Sequence, residues 1–156
     1  MADYLLVIDM QDDYVGPGKL HSDPALVQAV NAKIKTYSPD RVIYIVNRFF
    51  WEFGRQGKKL IGPMLKASNQ VFEKNRASCF TNPELLKFLR AHQARSLEFI
   101  GVDGNCCVKH SVLASAKLGF QTTADLSAIG VSWKKLFQKT KKKWAAADVT
   151  IIGRQG

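Results

Sequence analysis

Short apolar runs alternate along this chain with segments of helical periodicity, and that alternation restricts the fold more than any other feature. Residues 4–9 (YLLVID), 41–47 (RVIYIVN), 70–73 (QVFE), 97–102 (LEFIGV), 120–124 (FQTTA) and 149–152 read as strands. Between them, Leu26, Val30 and Ile34 recur at helical spacing from Pro24 to about Tyr37. Asn82 and Pro83 read as the cap and first residue of a helix running to about His92. Another runs from about Cys107 to Leu118 and stops at Gly119. Trp133, Leu136, Phe137, Thr140 and Trp144 mark a last amphipathic helix, and residues 60–67 are expected to form a short one. Residues 11–23 and 48–59 read as loops. Strand–helix–strand units of this kind join by right-handed crossovers. The expected fold is α/β: a doubly wound, mostly parallel six-stranded sheet with helices on both faces, forming one domain over residues 1–156.

Ligands of such sheets bind beyond the carboxyl ends of the strands. The residues to inspect are therefore Asp9, Asn47, Lys74 and the 103–107 segment. Asp9 is a carboxylate beside an apolar core, where its proton affinity can be tuned. Cys106 and Cys107 fall where a helix begins, and the helix dipole and unpaired N–H groups there favour a thiolate. Those N–H groups can also stabilise an oxyanion. A lysine near a thiol, as Lys74 would be, holds it ionised. Composition alone does not choose between the two cysteines.

Other chemistries find less support. The histidines, His21, His92 and His110, show no metal-ligand spacing, and neither GxGxxG nor GxxxxGK[ST] occurs. The three cysteines do not suggest a disulfide framework. No signal-type segment precedes the first strand and no apolar stretch could span a bilayer, so a cytoplasmic location is expected. The formal net charge of +10 favours anionic partners. Lysines 134, 135, 139, 141, 142 and 143 could contact nucleic acid, but the stripe of Trp133, Phe137 and Trp144 places them on the solvated face of a packed helix. A receiver-type reading of Asp9, Asp12 and Asp13 lacks an acceptor aspartate, since the third strand ends in Glu73-Lys74.

Read together, these segments resemble the isochorismatase-like cysteine hydrolases, which include nicotinamidases and N-carbamoylsarcosine amidases. LLVIDMQDDY (5–14) resembles their D-x-Q-x-D-aromatic opening, and FEKNRASCF (72–80) their K-x-x-x-S-x-F segment. FIGVDGNCCVKHS (99–111) is similar to their G-V-x-x-x-x-C-V-x-x-[ST] elbow, and Asp125 falls where an Asp-Ala pair often follows the fifth strand. The resemblance implies that Cys107, followed by Val108, is the nucleophile and Cys106 a variable position. It implies that Asp9 is the base, that Lys74 holds the thiolate, and that the N–H groups of Asp103 and Cys107 form an oxyanion hole. It also implies a cis peptide between Val102 and Asp103. The implied reaction cleaves a C–N bond of the amide type through a thioester.

Two departures stand out. Nicotinamidases of this family carry an Asp-x-His pair after the second strand to hold a metal; here that place reads Asn47-Arg48-Phe49-Phe50-Trp51-Glu52, so neither metal nor cofactor is expected. Asp103 occupies a position that is usually small or apolar. Tyr14, Arg48, Phe49, Phe50 and Trp51 are expected to wall the pocket. Arg48, Arg55, Lys58 and Lys59 would favour an anionic small-molecule substrate if they face it. A homo-oligomer is expected, with no membrane or nucleic-acid partner. The alternative readings are a catalytically silent interaction protein and a polyanion-binding protein.

Overall fold

The computed structural model describes residues 1–49, 52 and 58–155. A six-stranded sheet forms from β1 (Tyr4–Ile8), β2 (Val42–Asn47), β3 (Val71–Lys74), β4 (Ser96–Val102), β5 (Gln121–Gly130) and β6 (Thr150–Ile152). Its order is β3-β2-β1-β4-β5-β6 and every pairing is parallel. Four helices accompany it among the described residues: α1 (Pro24–Ile34), α2 (Pro83–Ala91), α3 (Cys107–Lys117) and α4 (Lys134–Ala146). Successive side chains of a strand point to opposite faces, and both faces here are covered. Leu5 and Val7 of β1 pack with Val30 and Ile34 of α1, whereas Leu6 and Ile8 share a core with Leu85 of α2, Val112 of α3, and Phe137 and Trp144 of α4. The architecture is therefore the three-layer, doubly wound sheet that the alternation implies.

Strand order reverses between β1 and β4, which opens a crevice beyond their carboxyl ends. The two strands approach closely there. Gly101 sits at φ +113, and a Cβ at that position would collide with the Ile8 carbonyl oxygen, so only glycine fits.

The helices begin in two ways. Asp23 and Asn82 cap α1 and α2 by accepting from the N–H groups of Ala25 (2.9 Å) and Glu84 (3.0 Å), each followed by proline. α3 and α4 start at Cys106 and Trp133 with no side-chain cap.

Four local expectations change. α1 ends at Ile34 rather than near Tyr37. Residues 60–67 form no helix. Their backbone is instead held by distant side chains: Tyr44 Oη donates to Leu65 O (2.6 Å) and accepts from Ala67 N (2.9 Å). Asn31 Oδ1 accepts from Leu65 N (2.7 Å). β5 runs to Gly130 instead of stopping at 124, so Asp125 lies within the strand. Asp125 Oδ1 accepts from the N–H and Oγ of Ser127 (3.0 and 2.6 Å) where the register against β4 shifts, which lets the chain bulge and pair again at Ile129. Trp133, finally, is 62% exposed, leaving Phe137 and Trp144 to anchor α4.

Candidate active site

Asp9, one residue beyond β1, adopts φ 52 and is 1% exposed. Lys74 ends the short strand β3 and is 3% exposed. A lysine buried this fully is stable as a cation only among acceptors. Its Nζ reaches Asp9 Oδ2 at 3.1 Å, Asn47 Oδ1 at 3.0 Å and Cys107 Sγ at 3.4 Å. The fold thus brings Asp9, Lys74 and Cys107 to one point, with Asn47 as a fourth member.

Burial pushes the Asp9 carboxyl up, against the pull of the Lys74 ammonium. Its Oδ1 has no hydrogen-bond partner among the described residues, and the Cys107 thiol acts on the same carboxylate. The Cys107 thiol is itself pushed up by its hydrogen bond to Cys106, by burial and by the charge of Asp9. Carboxylate and thiol therefore compete for one proton beside one fixed cation.

The uncapped start of α3 contributes donors. The N–H groups of Asp103 and Cys107 make no hydrogen bond to a described residue, while Cys106 and Val108 donate to the Asp103 carbonyl (3.0 and 3.1 Å). The peptide bond between Val102 and Asp103 is cis. The Asp103 carboxylate accepts from the backbone N–H groups of Asn105 (2.8 Å) and Ser132 (2.9 Å), and His21 Nε2 lies 3.1 Å from its Oδ2. Burial alone would raise its pKa, but these donors outweigh it and hold the group at about 2.

Asn47 is fixed through Gln11, whose Oε1 accepts from Asn47 N (2.7 Å) and whose Nε2 donates to Asn47 O (3.0 Å). Asn47 Nδ2 donates to Tyr14 Oη (3.2 Å), and burial pushes the Tyr14 phenol up to about 12. Phe49 is half-buried, and its N–H donates to Glu52 Oε2 (2.7 Å). Phe50, Trp51 and Arg55 lie outside the described residues. Arg48 Nε pairs with Glu73 (3.1 Å), and Lys58 Nζ pairs with Asp13 (3.0 Å) and Glu52 (2.7 Å). Of the expected cations Arg48 and Lys58 are thus matched by acids, whereas Lys59 is exposed.

Sequence reasoning singled out Asn47 only by position and missed Gln11 and His21. Gln11 stands in the D-x-Q-x-D pattern, which was its signal. His21 had none, because its partner is 82 residues away on another loop.

The donor set at the end of β2 does not fit a metal. Asn47 offers a neutral carboxamide already accepting from an ammonium group, and residues 48–57 contain no histidine. Among the described residues, no group of three His, Cys, Asp or Glu is arranged to hold a metal ion. No helix among them is long and apolar enough to cross a membrane.

Several solved structures share this fold over nearly the whole chain. PnC1 from L. infantum, in complex with nicotinate, is 20% identical, with 97% of this chain and 92% of that chain covered at a TM-score of 0.82. The pyrazinamidase of Pyrococcus horikoshii, in complex with zinc, is 17% identical, with 99% and 100% covered at 0.77. An isochorismatase-like hydrolase from Alkaliphilus metalliredigens is 16% identical, with 98% and 95% covered at 0.83. No curated protein sequence matches the chain. The model of the isochorismatase domain matches residues 3–146, and the chain accordingly belongs to the isochorismatase domain family, a family of hydrolases.

Proposed function

We propose that this chain, acting as one domain, is a cysteine hydrolase that cleaves an amide-type C–N bond in a small molecule through a thioester. The observation that carries the reading is the Lys74 ammonium, which touches Asp9, Asn47 and Cys107 at once in a buried site. Structural neighbours named as a pyrazinamidase and as nicotinamidases support the substrate class.

Asp9 takes the Cys107 proton through its unpartnered oxygen as Sγ attacks the carbonyl carbon. Lys74 stays cationic throughout, so the cluster exchanges one neutral distribution of charge for another. The negative charge that develops on the carbonyl oxygen falls to the N–H groups of Asp103 and Cys107. Asp9 then protonates the leaving nitrogen, the C–N bond breaks and the thioester forms. Water, deprotonated by Asp9, attacks the thioester and releases the acid.

A panel of small amides, read by amine release and by intact mass after acid quenching, tests this. The wild-type enzyme should carry an acyl adduct on Cys107. Cys107→Ala should lose on the order of 10⁴-fold or more in kcat/KM with its fold intact, and Cys106→Ala should stay active. An active Cys107→Ala variant would remove the proposal.

A further inference from the structure

The acyl-transfer scheme leaves Cys106 unused. Cys106 is exposed, Cys107 is half-buried and Cys79 is buried. Cys106 stands at the cap position of the eleven-residue helix α3, at the positive end of its dipole, and its side chain makes no capping bond. Its backbone is anchored: its N–H donates to Asp103 O (3.0 Å) and its carbonyl accepts from His110 N (3.0 Å). The two thiols are adjacent in the chain and affect each other: Cys107 draws the Cys106 thiol below its ordinary value, while Cys106, burial and the charge of Asp9 push the Cys107 thiol up. The exposed sulfur at the start of the helix is therefore the one of the two that ionises more readily. An accessible thiolate beside a second thiol is the arrangement that oxidants select. Burial, in contrast, pushes the Cys79 thiol up to about 12.

We propose that Cys106 and Cys107 form a modification site, a vicinal thiol pair that a peroxide converts reversibly into a disulfide. The Cys106 thiolate attacks one peroxide oxygen and gives up two electrons. The O–O bond breaks, hydroxide leaves and Cys106 becomes a sulfenic acid. Cys107 then passes its proton to Asp9, while Lys74, 3.4 Å from Sγ, steadies the new thiolate. That thiolate attacks the Cys106 sulfur. The S–S bond forms, the S–O bond breaks, and the departing hydroxide takes a proton to become water. Neighbouring Cα atoms are about 3.8 Å apart across a trans peptide, below the roughly 4.4 Å at which ordinary disulfides begin, so the bond is strained and an external dithiol reopens it by returning two electrons. If Cys107 is the nucleophile, as proposed above, the oxidised pair is a reversibly silenced enzyme; the oxidation itself does not depend on that reading.

The test is a titration with hydrogen peroxide, followed by intact mass and peptide mapping. The wild-type chain should lose two hydrogens within the peptide carrying both residues and regain them with dithiothreitol. Cys106→Ser should show no such loss, and Cys107→Ala should gain oxygens at Cys106. Oxygen gain without hydrogen loss in the wild type would overturn the proposal. So would a disulfide to Cys79 or to a second chain, or equal hydrogen loss in Cys106→Ser. A disulfide formed by a chain that hydrolyses no amide would sustain this site and remove the hydrolase reading.

Discussion

Two lysine–carboxylate clusters in this protein use the same residue types to opposite ends. Under α1, Lys33 Nζ meets Glu98 (2.9 Å) and Asp125 (2.8 Å), and Tyr37 Oη donates to Glu98 (2.6 Å). At the carboxyl edge of the sheet, Lys74 meets Asp9. Burial works to raise both aspartates. Asp125 nevertheless ends below its ordinary value, because Lys33 donates to one oxygen and Ser127 donates twice to the other. Asp9 ends above it, because its deeper burial outweighs the pull of the Lys74 ammonium, and its Oδ1 has no hydrogen-bond partner among the described residues. Among the described residues Glu98 Oε2 also has no hydrogen-bond partner, so an open oxygen does not by itself set the two clusters apart; the thiol 3.4 Å from Lys74 Nζ does.

The difference can be broken by replacing each acid or base in turn, and the largest effect belongs to the edge. Asp9→Asn should cost roughly 10³-fold in kcat/KM. In the wild type, activity should climb as pH rises through the elevated Asp9 pKa, because only the ionised form accepts a proton, and this acidic limb should vanish in the variant. A limb that persisted would assign it to another group.

Lys33→Met removes the shared cation from two shielded carboxylates. It should lower unfolding free energy by about 3 kcal/mol, with kcat per folded molecule unchanged. Urea unfolding combined with active-site titration separates the two. A loss of kcat at full folding would erase the distinction between the clusters.

Asp103 lies between these extremes, its carboxylate tied by donors at the start of the segment that leads to Cys107. Its depressed pKa means that its carboxylate stabilises the fold at neutral pH, and that this contribution fades as pH falls from the ordinary 3.8 through about 2. Asp103→Asn should therefore be less stable at neutral pH by about 1 kcal/mol, allowing for partial solvent screening, and should converge with the wild type near pH 2. A gap independent of pH would count against the carboxylate as its source.

The smallest effect concerns charge at the pocket mouth. Because Arg48 and Lys58 face Glu73, Asp13 and Glu52, added salt should change the preference for an anionic amide over its neutral isostere by less than about twofold. A steep salt dependence would restore the anionic-substrate expectation drawn from composition.

Much of this protein is legible in the chain because the deciding forces are local. Strand and helix periodicities depend on near neighbours, and so do the Asp23-Pro24 and Asn82-Pro83 starts. Parallel order then follows from strand–helix alternation, which places Asp9, Lys74 and Cys107 at strand ends before any contact is known. What depends on partners far apart in sequence was set by folding. Lys74 reaches Asp9 across 65 positions and Asn47 across 27. Residues 60–67 stay irregular because Tyr44 and Asn31 satisfy their backbone, and β5 lengthens because Asp125 caps its own bulge. Glu73, Asp13 and Glu52 match cations that composition left unpaired. Periodicity reports which face a residue takes; only folding sets which group it meets there, and that meeting fixes which way the proton affinity of a buried carboxylate moves.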